Sequence, residues 1–283
     1  MKRHRLVFRL GLAAAVAAVV APLPAQLAER EPFFLFAAYR LGSAADREDV
    51  HQVLRDYFGP HDYIGKELAK DDPELARQVG KDHVFALAAN LDVLGRYVAD
   101  REGAIVFYDM EHWPQTPKAE QEDPAGAVAR AAGVVHAGGA AKFGLCPDGP
   151  FLGIDPKSCS ASADKSVLRR IDPRTVDILL LQAQILLSDR CAAQGGPERY
   201  VSFVTSLARE ARERNPDILV AAQASFRYTP PDRMIKAMRA VQDAVDGFYL
   251  AWPVENPRVP NVYCSSDNLR RILQEFRGEV QTN

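Results

Sequence analysis

Two carboxylates, Asp109 and Glu111, stand one residue apart at the end of the apolar run AIVFYDMEHW. In a strand, side chains at i and i+2 share a face, so both carboxylates point the same way. Close like charges do not both ionise cheaply. One carboxyl is pushed up in pKa and can act as a general acid near neutral pH, while the other orients it or stabilises positive charge. That arrangement suits protonation of a glycosidic oxygen, which makes Glu111 and Asp109 the candidate catalytic residues. The plainer alternative is a structural pair bonded to loop amides.

The same spacing recurs down the chain. Gln182 and Gln184 end VDILLLQAQ, Gln223 and Ser225 end ILVAAQASF, and a fourth run, VDGFYLAWP, ends in Trp252. Amides donate and accept hydrogen bonds without ionising, so these groups suit sugar hydroxyls or an acetamido group. Trp252 offers a flat apolar face for a pyranose ring. Tyr39 and Asn90 end the two earlier strand-like runs and are placed to reach the same cavity. The bland reading is a polar plug inside a barrel, with the tryptophan capping the core. Asp109, Glu111 and His112 could also ligate a metal, but no second histidine stands at a supporting spacing, so neither a metal nor a cofactor is expected. There is no G-x-S-x-G elbow and no glycine-rich phosphate loop.

The elements that must position these residues alternate. FFLFAAY, KDHVFALAAN, IVFYDME, KFGLCP, VDILLLQAQ, ILVAAQASF and VDGFYLAWP read as strands, and HDYIGKELA is ambiguous. Amphipathic helices separate them, from REDVHQVLRDYF to the closing DNLRRILQEFRG. Strands apolar on both faces belong to parallel sheets covered by helices. The repeat predicts a (β/α)8 TIM-like barrel, with a doubly wound open sheet as the competitor. Connections entering strands are short (NPD before Ile218), whereas those leaving them are long (HWPQTPKAEQED after Glu111). Barrel enzymes build their sites from the loops at the carboxyl ends of strands, which is where the polar pairs fall.

Residues 1–28 read as a secretory signal peptide: a basic start, an apolar stretch through Val20, and small residues ending at Ala25 or Ala28. An uncleaved anchor is the alternative. Residues 29–283 then form the barrel domain, secreted or extracytoplasmic. In an oxidising compartment Cys146, Cys159, Cys191 and Cys264 suggest two disulfides. Cys146–Cys159 with Cys191–Cys264 is the preferred pairing among three possible connectivities. The segment from Cys146 to Ser166 is expected to be an ordered loop over the strand-end face, without helix. The net charge of −2 and the scattered arginines offer no basic stripe, so nucleic acid is a poor partner. A poly- or oligosaccharide, met by a monomer, is the expected partner.

The order of these motifs resembles glycoside hydrolase family 18, most of all its short, hevamine-like plant chitinase branch. In that family a D-x-x-D-x-D-x-E strand carries the catalytic glutamate; Glu111 matches it and Asp109 the aspartate beside it. KFGLCPDGPF is similar to the strand before a Cys-Pro loop, LLQAQ occupies the place of a Q-x-Y motif, and GFYLAW that of the last strand. The resemblance implies a TIM barrel acting on a cell-wall glycan or other polysaccharide, with Glu111 as acid and the Trp252 ring under the sugar. Ala104 and Phe107 stand where the earlier aspartates would, and Gln184 replaces the tyrosine. A non-catalytic carbohydrate-binding barrel with remnant acids is therefore the second reading.

Overall fold

The computed structural model describes residues 31–38, 44–101, 103–139, 141–227, 229–252 and 263–279. The signal-peptide segment and Tyr39 lie outside the described residues.

Among the described residues ten strands follow in chain order: β1 (Phe33–Ala38), β2 (Tyr63–Gly65), β3 (Val84–Ala88), β4 (Ile105–Met110), β5 (Lys142–Pro147), β6 (Ile154–Asp155), β7 (Ser160–Ala161), β8 (Ile178–Leu181), β9 (Leu219–Ser225) and β10 (Gly247–Trp252). Eight of them close into a parallel barrel, in the ring order β1-β2-β3-β4-β5-β8-β9-β10. The two short strands β6 and β7 pair antiparallel within the loop after β5. Closure runs from Phe33 opposite Gly247 to Ala38 opposite Trp252. Helices pack between the strands, the longest being Gly196–Arg214 and Ala44–Tyr57 with Pro124–Ala137. The expected (β/α)8 barrel is the fold, and the open sheet is excluded by closure of β1 on β10. Among the described residues no helix is long and apolar enough to cross a membrane.

Strand side chains alternate between two cores, which is why these strands read as unbroken apolar runs. One set fills the barrel: Leu35, Tyr63, Phe85, Phe107, Leu180 and Tyr249 among others. The other faces the helices: Phe34, Phe36, Tyr108, Leu179, Phe248 and Trp252 with their neighbours. Phe107 plugs the interior, meeting Phe85 edge-on at 5.5 Å. Gly144 on β5 makes room for it, since a Cβ there would stand 2.3 Å from the Phe107 ring. An aromatic floor thus lies directly beneath the strand ends. Outside the barrel Arg277 of the helix Ser266–Arg277 bonds buried Asp62, which also accepts from Phe34 N at 2.7 Å, tying that helix to β1.

Three sequence expectations change. VDILLLQAQ is a strand only to Leu181; Ala183 N bonds Leu181 O and Leu186 N bonds Ala183 O, so the backbone turns into a 3-10 helix at Gln184–Leu187. Gln184 therefore does not share the Gln182 face. The loop after β5 is more ordered than expected, with a short helix Gly149–Leu152 capped by Asp148, then the β6–β7 ribbon. The disulfide pairing is also corrected: Cys159 bonds Cys191, while Cys146 and Cys264 are free thiols. Cys146 is buried in the barrel-interior core, while Cys159 lies between β6 and β7 and bonds Cys191.

Candidate active site at the strand ends

Asp109 is the last inward-facing residue of β4, two positions above the Phe107 plug, and only 6% of it is exposed. The β4–β5 register sets it beside Cys146. From across β5, Gln182 reaches in with Nε2 at 3.0 Å from Asp109 Oδ1, 3.2 Å from the Cys146 carbonyl oxygen and 3.0 Å from Cys146 Sγ. Glu111, half-buried just past the strand, belongs to the same group: its charge acts on Asp109, and the Gln182 amide favours its ionised form. The sequence-predicted pair and Gln182 are therefore brought together on the barrel's inner side, at the carboxyl ends of its strands.

Burial dominates the electrostatics. It pushes Asp109 up to about 8, helped by the Glu111 charge and, more weakly, by Asp148; hydrogen bonds from Cys146 and Gln182 oppose the rise. Glu111 is raised as well, by burial first and by Asp148 second, with Gln182 pulling the other way. Two carboxyls that resist ionisation side by side can hold and deliver a proton near neutral pH. Cys146 is pushed well above an ordinary thiol by burial and by the two carboxylates, so it stays S–H.

The loop after β4 is braced around this pair. Glu111 N donates to Thr116 Oγ1 at 3.5 Å, and Thr116, buried, also takes the Trp113 indole N–H at 3.0 Å and donates to Ala89 O at 2.8 Å. His112 N donates to Asp148 Oδ2 at 2.7 Å, its ring bonds the same carboxylate, and it stacks on Phe151 at 3.9 Å. Asp148 also accepts from Phe151 N at 2.9 Å. His112 thus bridges two loops and does not converge with Asp109 and Glu111. Among the described residues no group of three or more His, Cys, Asp or Glu side chains could hold a metal. On the outer face Tyr108 donates to buried Glu120 at 2.7 Å, pinning the same loop to the strand beneath it.

The remaining sequence candidates divide. Gln223, 6% exposed, stands opposite Tyr249 on the inner face, and continuing the β8–β9 register sets it abreast of Gln182. Its Oε1 is buried without a hydrogen-bond partner, as is that of Gln184. A buried acceptor left unpaired costs about 1–3 kcal/mol, so each is a place where a ligand donor would be welcome. Ser225, buried, takes the Arg227 N–H at 3.4 Å at the turn closing β9. Asn90 uses both ends of its amide on the protein, capping the helix Leu91–Asp100 through Val93 N at 2.9 Å and donating to Gln115 O at 2.9 Å.

Trp252 is a correction. Strand alternation puts it opposite Ala38 on the outer face, packed between Phe36 at 6.0 Å and Phe226 at 5.3 Å, where it serves the helix-facing core instead of flooring the cavity. An apolar wall exists instead on the β1–β3 side, where Ala37, Gly65, Phe85 and Leu87 line a cavity of about 280 Å³ with Lys66 Nζ 3.6 Å above the Tyr97 ring at its edge. Sequence reasoning missed Cys146 and Asp148 as parts of the site. The alternation in KFGLCP, with Gly144 and Cys146 on one face, was the available signal for the first.

The chain matches no protein-family model and no curated protein. Among solved structures it is similar to phospho-2-dehydro-3-deoxyheptonate aldolase from Thermotoga maritima, at 10% identity over 86% of this chain and 67% of that one, TM-score 0.48. It is similar to QR15, an aldolase, at 11% identity over 86% and 96% of the two chains, TM-score 0.45. An enolase from the Sargasso Sea environmental genome sequencing gives 11% identity over 78% and 52%, TM-score 0.41. The assignment of the barrel rests on the closed sheet itself.

Proposed function

We propose that this protein is an exported, monomeric glycoside hydrolase-like barrel that acts on a polysaccharide or cell-wall glycan, with Glu111 as general acid. The observation that carries the reading is the position of Glu111: half-buried just past the end of β4, two residues from the Asp109 that Gln182 holds, with its carboxyl raised in pKa. Glu111 is the more accessible of the pair and delivers the proton to the glycosidic oxygen. Asp109, still protonated near neutral pH, stays behind it and offers a hydrogen bond to the carboxylate that Glu111 becomes. The Gln182 amide stabilises the same charge. Gln223 and Gln184 offer their unpaired oxygens to substrate hydroxyl or amide donors. The same two acids carry the resemblance to glycoside hydrolase family 18. The Cys159–Cys191 bond fits an oxidising compartment, and with it the export signal read over residues 1–28.

The second reading, a carbohydrate-binding barrel without turnover, is favoured by Phe107. That residue fills the place of an earlier acid with a ring locked between Phe85 and Gly144, so no further carboxylate lies under Asp109. A glycan array followed by hydrolysis assays on each ligand found separates the two. Binding with product release supports the hydrolase; binding without it supports the lectin-like barrel; no glycan bound at any concentration removes both.

A further inference from the structure

The cavity on the β1–β3 side has no part in proton transfer, yet it lies at the same end of the barrel as the acid pair. Its volume is about 280 Å³, and Ala37, Gly65, Phe85 and Leu87 line it. Ala37 and Gly65 sit side by side on β1 and β2 and bring almost no bulk to the wall. Phe85 is fully buried and meets the Phe107 ring at 5.5 Å, and Leu87 is opposite Phe107 in the β3–β4 register. Phe107 precedes Asp109 by two residues on β4, so the cavity is one strand away from the acids. Lys66, just past β2, supplies a cation at its edge. That side chain is only 11% exposed, and its Nζ lies 3.6 Å from the centre of the Tyr97 ring. Glu67 Oε1 is also 3.6 Å from the ammonium, but more than half of the Glu67 side chain is in solvent. Such an exposed partner contributes little to the pair, while these contacts together hold the ammonium at the cavity.

We propose that this cavity is a subsite for a sugar that carries a carboxylate, such as a uronic acid, and that the glycan acted on is therefore an acidic one. The ring's apolar face lies on Phe85 and Leu87, and its carboxylate meets Lys66 Nζ. A charge-assisted bond of this kind is stronger at a nearly buried ammonium than in open water. A neutral sugar gains the ring contact without the ion pair. The volume is just under the usual range for small-molecule pockets, about 300–1,000 Å³, and suits one ring, with the rest of the glycan running toward Glu111. The link to cleavage rests on the hydrolase reading; binding of the acidic ring is a property of the cavity alone. Gly65 offers a way to close it. Its φ of −64° and ψ of 145° are open to any residue, and a Cβ there would stand 3.5 Å from Ala37 Cβ, an ordinary contact.

The test is an NMR titration of the protein carrying carbon-13-labelled alanine and leucine methyls, with Ala37→Gly and Leu87→Met identifying the two signals. Methyl glucuronide is the probe and methyl glucoside its neutral counterpart. Both signals should shift with the glucuronide, at an affinity about tenfold above that of the glucoside. Lys66→Met keeps the length of the side chain without its charge and should bring the glucuronide down to the glucoside level. Gly65→Val fills the cavity and should abolish the response to either sugar, which keeps the test decisive if Lys66→Met does not fold. Equal affinity for the two sugars, no response to either, or a glucuronide response that survives either variant unchanged overturns the proposal. No turnover is needed. Selective glucuronide binding in a protein that cleaves no glycan sinks the hydrolase reading and leaves the subsite standing, while cleavage of neutral glycans by a protein that does not distinguish the two sugars does the reverse.

Discussion

Gln182 Nε2 donates to Asp109 Oδ1 at 3.0 Å across 73 residues of intervening chain. The contact passes over β5, so it exists only when β4, β5 and β8 stand side by side in the barrel. Neither a lone strand nor a helical hairpin of this chain could hold the acid pair in that state. The site is a consequence of closure, and its unusual carboxyls report on the fold as much as on chemistry.

Asp109 should make stability fall as pH rises. Its folded pKa is about 8 against the ordinary 3.8. Between those values the folded chain keeps a proton that the unfolded chain has released. The stabilisation is complete below the lower value and lost as pH climbs through the upper one, with a limiting slope of about 1.4 kcal/mol per pH unit. Asp109→Asn removes this dependence. Urea midpoints of wild type and variant at pH 5 and pH 8 should therefore shift in the variant's favour at the higher pH; a constant gap contradicts the assignment.

Trp252 should matter to folding and not to sugar. Packed between Phe36 and Phe226 in the outer core, it should cost about 3–5 kcal/mol when cut to alanine. Affinity for any glycan the wild type binds should be unchanged where the variant remains folded. A large loss of affinity at full stability would return this ring to the cavity.

Thiol titration of denatured, unreduced protein should find two free thiols, Cys146 and Cys264. Cys159→Ser with Cys191→Ser should lower stability by about 4 kcal/mol in the chain-entropy model, given the separation of 32 residues. Titration of no thiols or of four would contradict the single Cys159–Cys191 bridge.

The barrel was legible because both faces of each strand are buried, which writes continuous apolar runs, and because the helices between them are amphipathic. That Asp109 shares a face with Phe107, and Gln223 with Ala221, followed from strand period alone. That logic failed where the strand stopped: Gln184 falls in a 3-10 turn three residues past Leu181, and no residue type in QAQILL marks that turn. Trp252 was misplaced because a run apolar on both faces does not say which face is which; only pairing with Ala38 does. The disulfide needed the ribbon of β6 and β7, a tertiary arrangement invisible in cysteine spacing.

The most direct test of the acid pair is the turnover of a glycan by wild type and Glu111→Gln, on a ligand whose binding is measured separately. Glutamine keeps the shape and hydrogen bonds of Glu111 but has no proton to give. Expected is unchanged binding with a rate lower by about 100- to 10,000-fold, and a wild-type rate that falls as pH rises and Glu111 loses its proton. Turnover by Glu111→Gln at the wild-type rate, with the same dependence on pH, would contradict the role given to Glu111.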